Sequence, residues 1–189
     1  RATMILDKFK RHEREIWEIT GAPLSAHFGG PKFYHMVQSD KNLKKKTKSG
    51  EVYFGPLSAF IVHAITGKAA IDESIAGRTL MYDLHSQGWS KFTLDLFDVP
   101  IDCLPPIKPV KYEYGNFLTS KVPLLAVIGD QQSALIGQSG LKKYTIGANF
   151  GTSASIQYNV GSKPVFTPGL ISSVLFSNHK SKYFILEGT

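Results

Sequence analysis

The sequence predicts an α/β fold. An apolar run at residues 124–128 breaks at Gly129-Asp130 and continues into a helix-like segment, and several helical patterns precede it. The last third holds segments rich in Tyr, Ile, Phe, Val, Thr and Ser with no helical pattern between them, which is typical of consecutive strands. At 189 residues and 42% hydrophobic content, the chain is long enough to bury a sizeable core.

The first predicted element is a helix over residues 2–18 with one buried face, ended by Thr20-Gly21. The apolar residues of that face are Ile5, Phe9, Ile16 and Trp17.

A loop with Gly29-Gly30 is predicted next, and Pro31 is suited to the first turn of a helix that runs to about Gln38. His27 lies in the loop. It is either a surface or capping residue or a ligand contact, and the pattern leaves both open.

A lysine run follows, formed by Lys41 and residues 44–48, and a solvated loop is expected there. The alternative is a binding patch, but no aromatic residues interleave the lysines as a nucleic-acid surface prefers. Residues 52–54 are expected to be extended. Pro56 opens a predicted helix that stops at Gly67, with His63 as a core histidine.

Residues 72–78 are predicted to form a polar turn or short helix. Ser90 is suited to cap a helix that runs to Phe97, with Trp89 as a packing anchor. The four prolines of residues 100–109 exclude a regular helix or central strand, so this segment is a connector. Its Cys103 is expected to be a buried, inert thiol; a catalytic thiol is the alternative.

The remaining elements are a buried-type strand at residues 122–128, a helix that starts at residues 133–137 and three strand-like segments. Since no helix separates those three segments, an antiparallel meander is predicted, with turns at Gly151, Gly161-Ser162 and Asn178-His179. The segments are residues 143–159, 169–177 and 182–187.

Composition narrows the class of protein. No apolar run reaches the roughly 18 residues of a membrane span, the first residues do not resemble a signal peptide, and one cysteine excludes an internal disulfide. A cytoplasmic protein without membrane or nucleic-acid partners is expected. The net charge of +7 suits anionic ligands such as nucleotides or nucleic acid, but much of the excess comes from the lysine run.

Asp130 is the carboxylate best suited to act as a general base. A side chain that follows a strand end lies where ligands bind in open α/β sheets, and there it could take a proton from a hydroxyl while Gln131 or Gln132 bonds neighbouring oxygens. The alternative is a turn whose Asp caps the next helix.

A second candidate is the turn Gly151-Thr152-Ser153. Its backbone N–H groups and two hydroxyls suit phosphate oxygens, although the same residues also make ordinary hairpin turns. Neither a Walker loop nor a G-x-G-x-x-G fingerprint is present. No His or Cys cluster has metal-ligand spacing, so any metal would arrive with a nucleotide.

Several segments, in their order along the chain, resemble the FGGY carbohydrate kinases. GDQQSALIGQ is similar to a catalytic segment of that family, GTS to its second phosphate loop, and TGAPLSAHFGGPKFYHM, FGPLSAFIVHAITG, DESIAGRTLMYDL and FILEGT to further elements. The resemblance implies an actin-like (ribonuclease H-like) ATPase fold that is incomplete here. Residues 1–139 would belong to the N-terminal, substrate-side domain and residues 140–189 would begin the C-terminal, ATP-side domain.

The resemblance also implies ATP-dependent phosphorylation of a polyol or sugar hydroxyl. Asp130 would be the catalytic base, and ATP with Mg²⁺ would be required, the Mg²⁺ ligands lying largely outside this chain. Substrate contacts would come from Gln131, His27 and Arg1, and ATP phosphate contacts from Gly151, Thr152 and Ser153.

Departures from the family pattern leave the substrate open. His27 replaces a tyrosine, Gly29 a small hydroxyl residue and His35 a tryptophan. The family's first phosphate hairpin would precede Arg1 and its adenosine segment would follow Thr189, so this chain is expected to be a central piece without useful activity alone. A homo-oligomer is left open. The alternative function is a non-catalytic, actin-like sugar-binding or regulatory protein derived from such a kinase.

Overall fold

The computed structural model describes residues 2–188. Two short 3₁₀ segments, Ala2–Lys8 and Lys10–His12, precede helix α1, Glu13–Thr20, in place of one continuous predicted helix. The predicted stop is confirmed, because Gly21 has a φ of +72°, a conformation that glycine adopts without strain. Its carbonyl accepts a 2.8 Å hydrogen bond from the N–H of Ser172, so the end of α1 is fixed to a distant strand.

Helix α2, Gly29–Ser39, begins two residues before the predicted position. Gly29 and Gly30 are part of the helix, and the phenyl ring of Phe97 lies directly against Gly30. A Cβ on Gly30 would be 2.5 Å from two ring carbons of Phe97. The glycines therefore serve close packing, and they do not form a loop.

The lysine run is a helix, α3, Lys41–Lys48, so the loop prediction was wrong. The carboxylate of Asp40 accepts hydrogen bonds of 2.8 and 3.0 Å from the N–H groups of Asn42 and Leu43. This cap satisfies two of the free N–H groups at the helix start. Most of the lysine side chains are exposed, as expected.

Helix α4, Leu57–Thr66, follows Pro56 and ends at Gly67, as predicted. His63 is exposed, so its prediction as a core histidine was wrong. Residues 52–54 form no strand; instead Phe54 is buried, and its N–H donates a 2.6 Å hydrogen bond to the carbonyl of Cys103.

A short parallel pair joins strand β1, Ile71–Asp72, to strand β4, Ile107–Lys108, which lies in the proline-rich connector. Between them come helix α5, Glu73–Ala76, the strands β2, Tyr82–Asp83, and β3, Gly88–Trp89, and helix α6, Lys91–Leu96. The Ser90 cap of α6 is confirmed by its 3.3 Å hydrogen bond from the N–H of Thr93.

Cys103 is buried, and its thiol donates a hydrogen bond of 3.0 Å to the carbonyl of Thr47. Burial, and secondarily Asp102, raises the pKa of this thiol. The prediction of a buried thiol is therefore confirmed, and the raised pKa agrees with an inert one.

Strand β6, Pro123–Ala126, pairs with strand β5, Lys111–Asn116, and helix α7, Asp130–Ser139, follows. The apolar sequence of β6 indicated a buried strand, yet Val122 and Leu125 are more than half exposed. The reason is that, within residues 2–188, β6 has one neighbouring strand and little covers its faces.

The last four strands form an antiparallel sheet in the order β7-β8-β10-β9. The predicted turns at Gly151, Gly161-Ser162 and Asn178-His179 are confirmed, but the meander is not, because β10 lies between β8 and β9. The strands are β7, Ile146–Phe150, β8, Ala154–Gly161, β9, Ile171–Ser177, and β10, Lys182–Gly188.

This sheet packs against the earlier part of the chain. One buried apolar cluster combines residues of β1, α5 and β2 with residues of β8, β9 and β10. Two ion pairs cross the same junction, Glu73 with Lys182 and Arg78 with Glu187. The sheet is therefore packed against β1, α5 and β2.

Candidate active site

Asp130 is the first residue of α7, directly after the N-cap residue Gly129. Its side chain is exposed, and Oδ1 accepts a 2.8 Å hydrogen bond from the N–H of Gln131. A carboxylate is stabilised at a helix N-terminus by the helix dipole. Asp130 is not the N-cap residue of α7, and its exposed carboxylate can meet a hydroxyl.

A buried chain of polar groups fixes the backbone just before Asp130. The N–H of Gly129 donates a 2.9 Å hydrogen bond to Oγ of Ser74, and that hydroxyl donates to Oδ1 of Asp72. Asp72 also accepts from two N–H groups at the start of α5. The position of Asp130 therefore depends on α5, 55 residues earlier in the chain.

Asp72 itself is fully buried, and its Oδ2 has no hydrogen-bond partner among the described residues. Burial raises the pKa of Asp72 to about 6, and the hydrogen bonds from Ser74 and Ile75 only partly offset that shift. Sequence reasoning missed this residue as a support for the site. The D-x-S pattern at residues 72–74 was the available signal.

The two glutamines after Asp130 lie in different environments. Gln131 is half-buried, and its Oε1 accepts a 3.1 Å hydrogen bond from Oγ of Ser155 at the start of β8. Gln132 is buried, and its amide approaches Oγ of Ser173 at 3.5 Å. Gln131 is therefore the glutamine that can reach a ligand, while Gln132 contributes to packing between α7 and β9.

The Gly151-Thr152-Ser153 turn joins β7 to β8, and all three residues are exposed. The N–H of Gly151 donates a 2.9 Å hydrogen bond to the carbonyl of Ser153, which closes the turn. The hydroxyls of Thr152 and Ser153 make no hydrogen bond within residues 2–188, so both can meet an incoming anion. Backbone N–H groups in a tight turn suit phosphate oxygens in the same way.

The structure brings this turn and α7 together. Besides the Gln131–Ser155 contact, Nε2 of Gln138 donates a 2.6 Å hydrogen bond to Oδ1 of Asn149 in β7. Leu135 of α7 is buried with residues of β9 and β10. The exposed carboxylate at the start of α7 and the exposed turn are therefore two parts of one packed unit.

His27 lies elsewhere along the surface. It is exposed beside a cavity of about 590 Å³ that is also lined by Ala2, Lys32 and His35. Nζ of Lys32 donates a 2.7 Å hydrogen bond to the carbonyl of His27. No described contact joins His27 to Asp130. Arg1 lies outside the described residues, although its neighbour Ala2 lines the same cavity.

The part of the chain that the structure describes, residues 2–188, has no group of three or more His, Cys, Asp or Glu side chains placed to hold a metal ion. None of its helices is long and apolar enough to cross a membrane.

Comparisons with known proteins agree with one another. Residues 1–137 match the family model described as the FGGY family of carbohydrate kinases, N-terminal domain. A glycerol kinase from Enterococcus casseliflavus is 32% identical over 96% of this chain and 38% of its own length. Glycerol kinase 1 from Thermotoga maritima is 30% identical over the whole chain and 40% of its own length.

Solved structures show the same relationship at the level of the fold. A Plasmodium falciparum glycerol kinase with ADP superposes with a TM-score of 0.93 at 24% identity, covering 100% of this chain and 40% of that one. A ligand-bound xylulose kinase from Lactobacillus acidophilus gives 0.81 at 19% identity, covering 98% of this chain and 39% of that one. The chain thus spans about two fifths of the length of the proteins it matches.

Proposed function

Since this chain belongs to the FGGY family of carbohydrate kinases, we propose that the protein containing it transfers a phosphoryl group from ATP to a hydroxyl of a polyol or sugar. Its actin-like α/β fold is the fold of the matched kinases, so that prediction is confirmed. The observation that carries the proposal is the exposed carboxylate of Asp130, held at the start of α7 beside the exposed Gly151-Thr152-Ser153 turn.

Asp130 is proposed as the general base. Its carboxylate takes the proton of the acceptor hydroxyl as that oxygen attacks the γ-phosphorus of ATP, and the bond between the γ-phosphorus and the β–γ bridging oxygen breaks, releasing ADP. The buried Asp72–Ser74–Gly129 chain supports this role because it holds the backbone that aims Asp130. Positioning of this kind supplies much of the catalysis in phosphoryl transfer.

The remaining roles follow from what each group can donate or accept. Thr152 and Ser153 offer free hydroxyls in the tight turn that begins at Gly151, and all three residues are proposed to contact the ATP phosphates. Gln131 is proposed to contact the acceptor, since its amide Nε2 stays available while Oε1 bonds to Ser155. His27 and Arg1 are further proposed acceptor contacts, and the cavity beside His27 gives an acceptor room.

Mg²⁺ is also part of the proposal. It commonly binds through one or two protein carboxylates together with phosphate oxygens and water. We assign no metal ligand to residues 2–188, which hold no group of three or more candidate ligands.

The division into domains also stays a proposal. Residues 1–139 would form part of the substrate-side domain and residues 140–189 would begin the ATP-side domain. The family model for the N-terminal domain, which matches residues 1–137, supports a boundary near this place. A cytoplasmic location is likewise proposed.

The test is Asp130→Asn in the full-length protein. Turnover with a panel of glycerol, xylulose and gluconate should fall by about 10² to 10⁴, the usual contribution of a general base. The dissociation constant for ATP should change less than about twofold, because the phosphate turn is intact. Asp102→Asn, at another exposed carboxylate, is the control and should keep full turnover.

Two outcomes would overturn the proposal. Undiminished turnover in Asp130→Asn would remove Asp130 as the base. Tight sugar binding by the wild-type protein without phosphorylation of any acceptor would favour the non-catalytic, sugar-binding alternative. The 189 residues alone span two fifths of the matched kinases and are expected to show no ATP-dependent turnover.

A further inference from the structure

A second cavity lies where the start of β5 meets the turn between β9 and β10. It has a volume of about 300 Å³ and is lined by Lys111, Asn178, His179 and Lys180. We call it the seam cavity, because its two sides come from segments about 70 residues apart in the sequence. The N–H of Val110 donates a 2.9 Å hydrogen bond to Oγ of Ser177, which ties the two sides together.

The seam cavity is strongly cationic. Lys111 and Lys180 line it, and Lys108 lies close by, with Nζ 5.0 Å from the centre of the Tyr112 ring. That ring is in turn 6.0 Å from the ring of His179. Two lysine ammonium groups and one imidazole therefore line this small space, and a third lysine lies near it.

No acidic group neutralises this charge locally. Within residues 2–188, no carboxylate lines the cavity, and none of Lys108, Lys111 and Lys180 lies within 4 Å of one. Glu113 is two residues from Lys111 but is exposed and does not line the cavity. Cations gathered without a counter-charge repel one another, so a bound anion would relieve that repulsion.

The backbone that carries these side chains is well ordered by hydrogen bonds. Oδ1 of Asn178 accepts from the N–H groups of Lys180 and Ser181, both at 2.7 Å, and the N–H of Asn178 donates to the carbonyl of Ser181 at 2.9 Å. Tyr112 packs edge-on against the buried Tyr114, with ring centres 5.5 Å apart. The backbone that carries the lysines is thus fixed on both sides before any ligand arrives, which lowers the entropy lost on binding.

We propose that the seam cavity binds a compact multivalent anion that carries two or more phosphate or carboxylate groups. The volume is at the lower end of small-molecule sites, which fits a ligand of this size better than a macromolecule. Lysine ammonium groups bind such anions as point charges, without a requirement for one planar geometry.

The seam cavity is separate from the proposed ATP contacts. The turn that forms it precedes Lys182 at one end of β10, whereas Gly188 at the other end pairs with Ile156 near the Gly151-Thr152-Ser153 turn. A strand of 7 residues places these ends roughly 20 Å apart at about 3.3 Å per residue. An anion here would act as an effector and not as the phosphoryl donor.

The experiment measures binding of inorganic pyrophosphate and of citrate to the full-length protein by isothermal titration calorimetry. The variant is Lys111→Ala/Lys180→Ala. The control, Lys45→Ala/Lys46→Ala, removes the same charge from two exposed lysines of α3. Loss of two charge-assisted contacts should weaken binding at least roughly tenfold in the first variant, and the control should stay within about twofold.

A second readout is local to the cavity. The ring resonances of His179, assigned with His179→Gln, should shift on titration with the anion that binds. Tighter binding of pyrophosphate would identify phosphate chemistry, and tighter binding of citrate would identify carboxylates. Equal weakening in both lysine pairs, no weakening in Lys111→Ala/Lys180→Ala, or unshifted His179 resonances at saturating anion would overturn the proposal.

Discussion

Nη2 of Arg78 donates a hydrogen bond of 2.8 Å to Oε2 of Glu187, and the two residues are 109 positions apart in the chain. Glu73 and Lys182, five positions earlier on each side, form a second ion pair with the same separation of 109. The charges alternate, acid then base on one segment and base then acid on the other. A shift of β10 by five residues would place Glu187 at Glu73 or Lys182 at Arg78, so the two pairs disfavour that alignment.

The first prediction concerns Arg78→Leu. Glu187 is only 5% exposed, so loss of its partner leaves a buried carboxylate without a counter-charge. The free energy of unfolding, measured in urea, should fall by about 3 kcal/mol. Arg14→Leu, which breaks the exposed pair with Glu18, should leave the stability nearly unchanged.

A double-mutant cycle isolates the pair itself. Arg78→Leu/Glu187→Leu removes both charges and should lose less stability than the sum of the two single variants. Equal losses in Arg78→Leu and Arg14→Leu would show that the buried pair does not hold the junction.

The second prediction concerns Asp72→Asn and pH. The pKa of Asp72 in the folded protein is about 6, above its ordinary value of 3.8, because burial penalises the charged form. As the pH rises from 3.8 to about 6, Asp72 ionises in the unfolded chain before it ionises in the folded protein. The stability of the wild type therefore falls over this interval, and Asp72 lowers it no further above pH 6. The loss from this group is on the order of 3 kcal/mol.

Asparagine keeps an oxygen for the N–H groups of Ser74 and Ile75 and does not titrate. The stability of Asp72→Asn relative to wild type should therefore increase from pH 4 to about pH 6 and then stay constant, as measured by urea unfolding at each pH. Asp102→Asn, at an exposed carboxylate, is the control for general charge effects. If the free energies of unfolding of Asp72→Asn and wild type changed in parallel with pH, burial would not raise the pKa of Asp72.

The third prediction compares two glycines in helices. A Cβ on Gly30 would be 2.5 Å from the ring of Phe97. Overpacking in Gly30→Ala should therefore lower the free energy of unfolding by about 1–3 kcal/mol. A Cβ on Gly137 in α7 would have nothing within 4 Å, so Gly137→Ala should gain about 0.5–1 kcal/mol. Thermal unfolding of both variants measures the difference. A gain in Gly30→Ala would contradict the close approach of α2 to Phe97.

Structural features that depend on a few adjacent residues could be predicted from the sequence. Gly21 and Gly67 end their helices, and Ser90 caps another, because each feature depends on a few adjacent residues. Helix α7 begins at Asp130, three residues before the predicted start at residues 133–137. The helix at residues 41–48 was missed although Asp40 is a standard cap, because the lysine run was judged by its charge alone.

Long-range features could not be predicted in the same way. The place of β10 between β8 and β9 depends on pairings among distant segments, which periodicity does not encode. The exposure of His63 depends on which face of α4 meets the rest of the molecule. Likewise, Ser155 was not expected beside Gln131, and the anchor of Gly129 on Ser74 joins residues 55 positions apart.

The separation of 109 residues between the partners of each buried ion pair also has a consequence for biosynthesis. A ribosome that adds about 5–20 residues per second makes Glu73 and Arg78 roughly 5–20 s before their partners in β10. During that interval both side chains, and the apolar residues beside them, have no sheet to pack against. The nascent chain is therefore open to chaperones and proteases until β10 leaves the exit tunnel, and a pause in translation before residue 182 would lengthen that exposure.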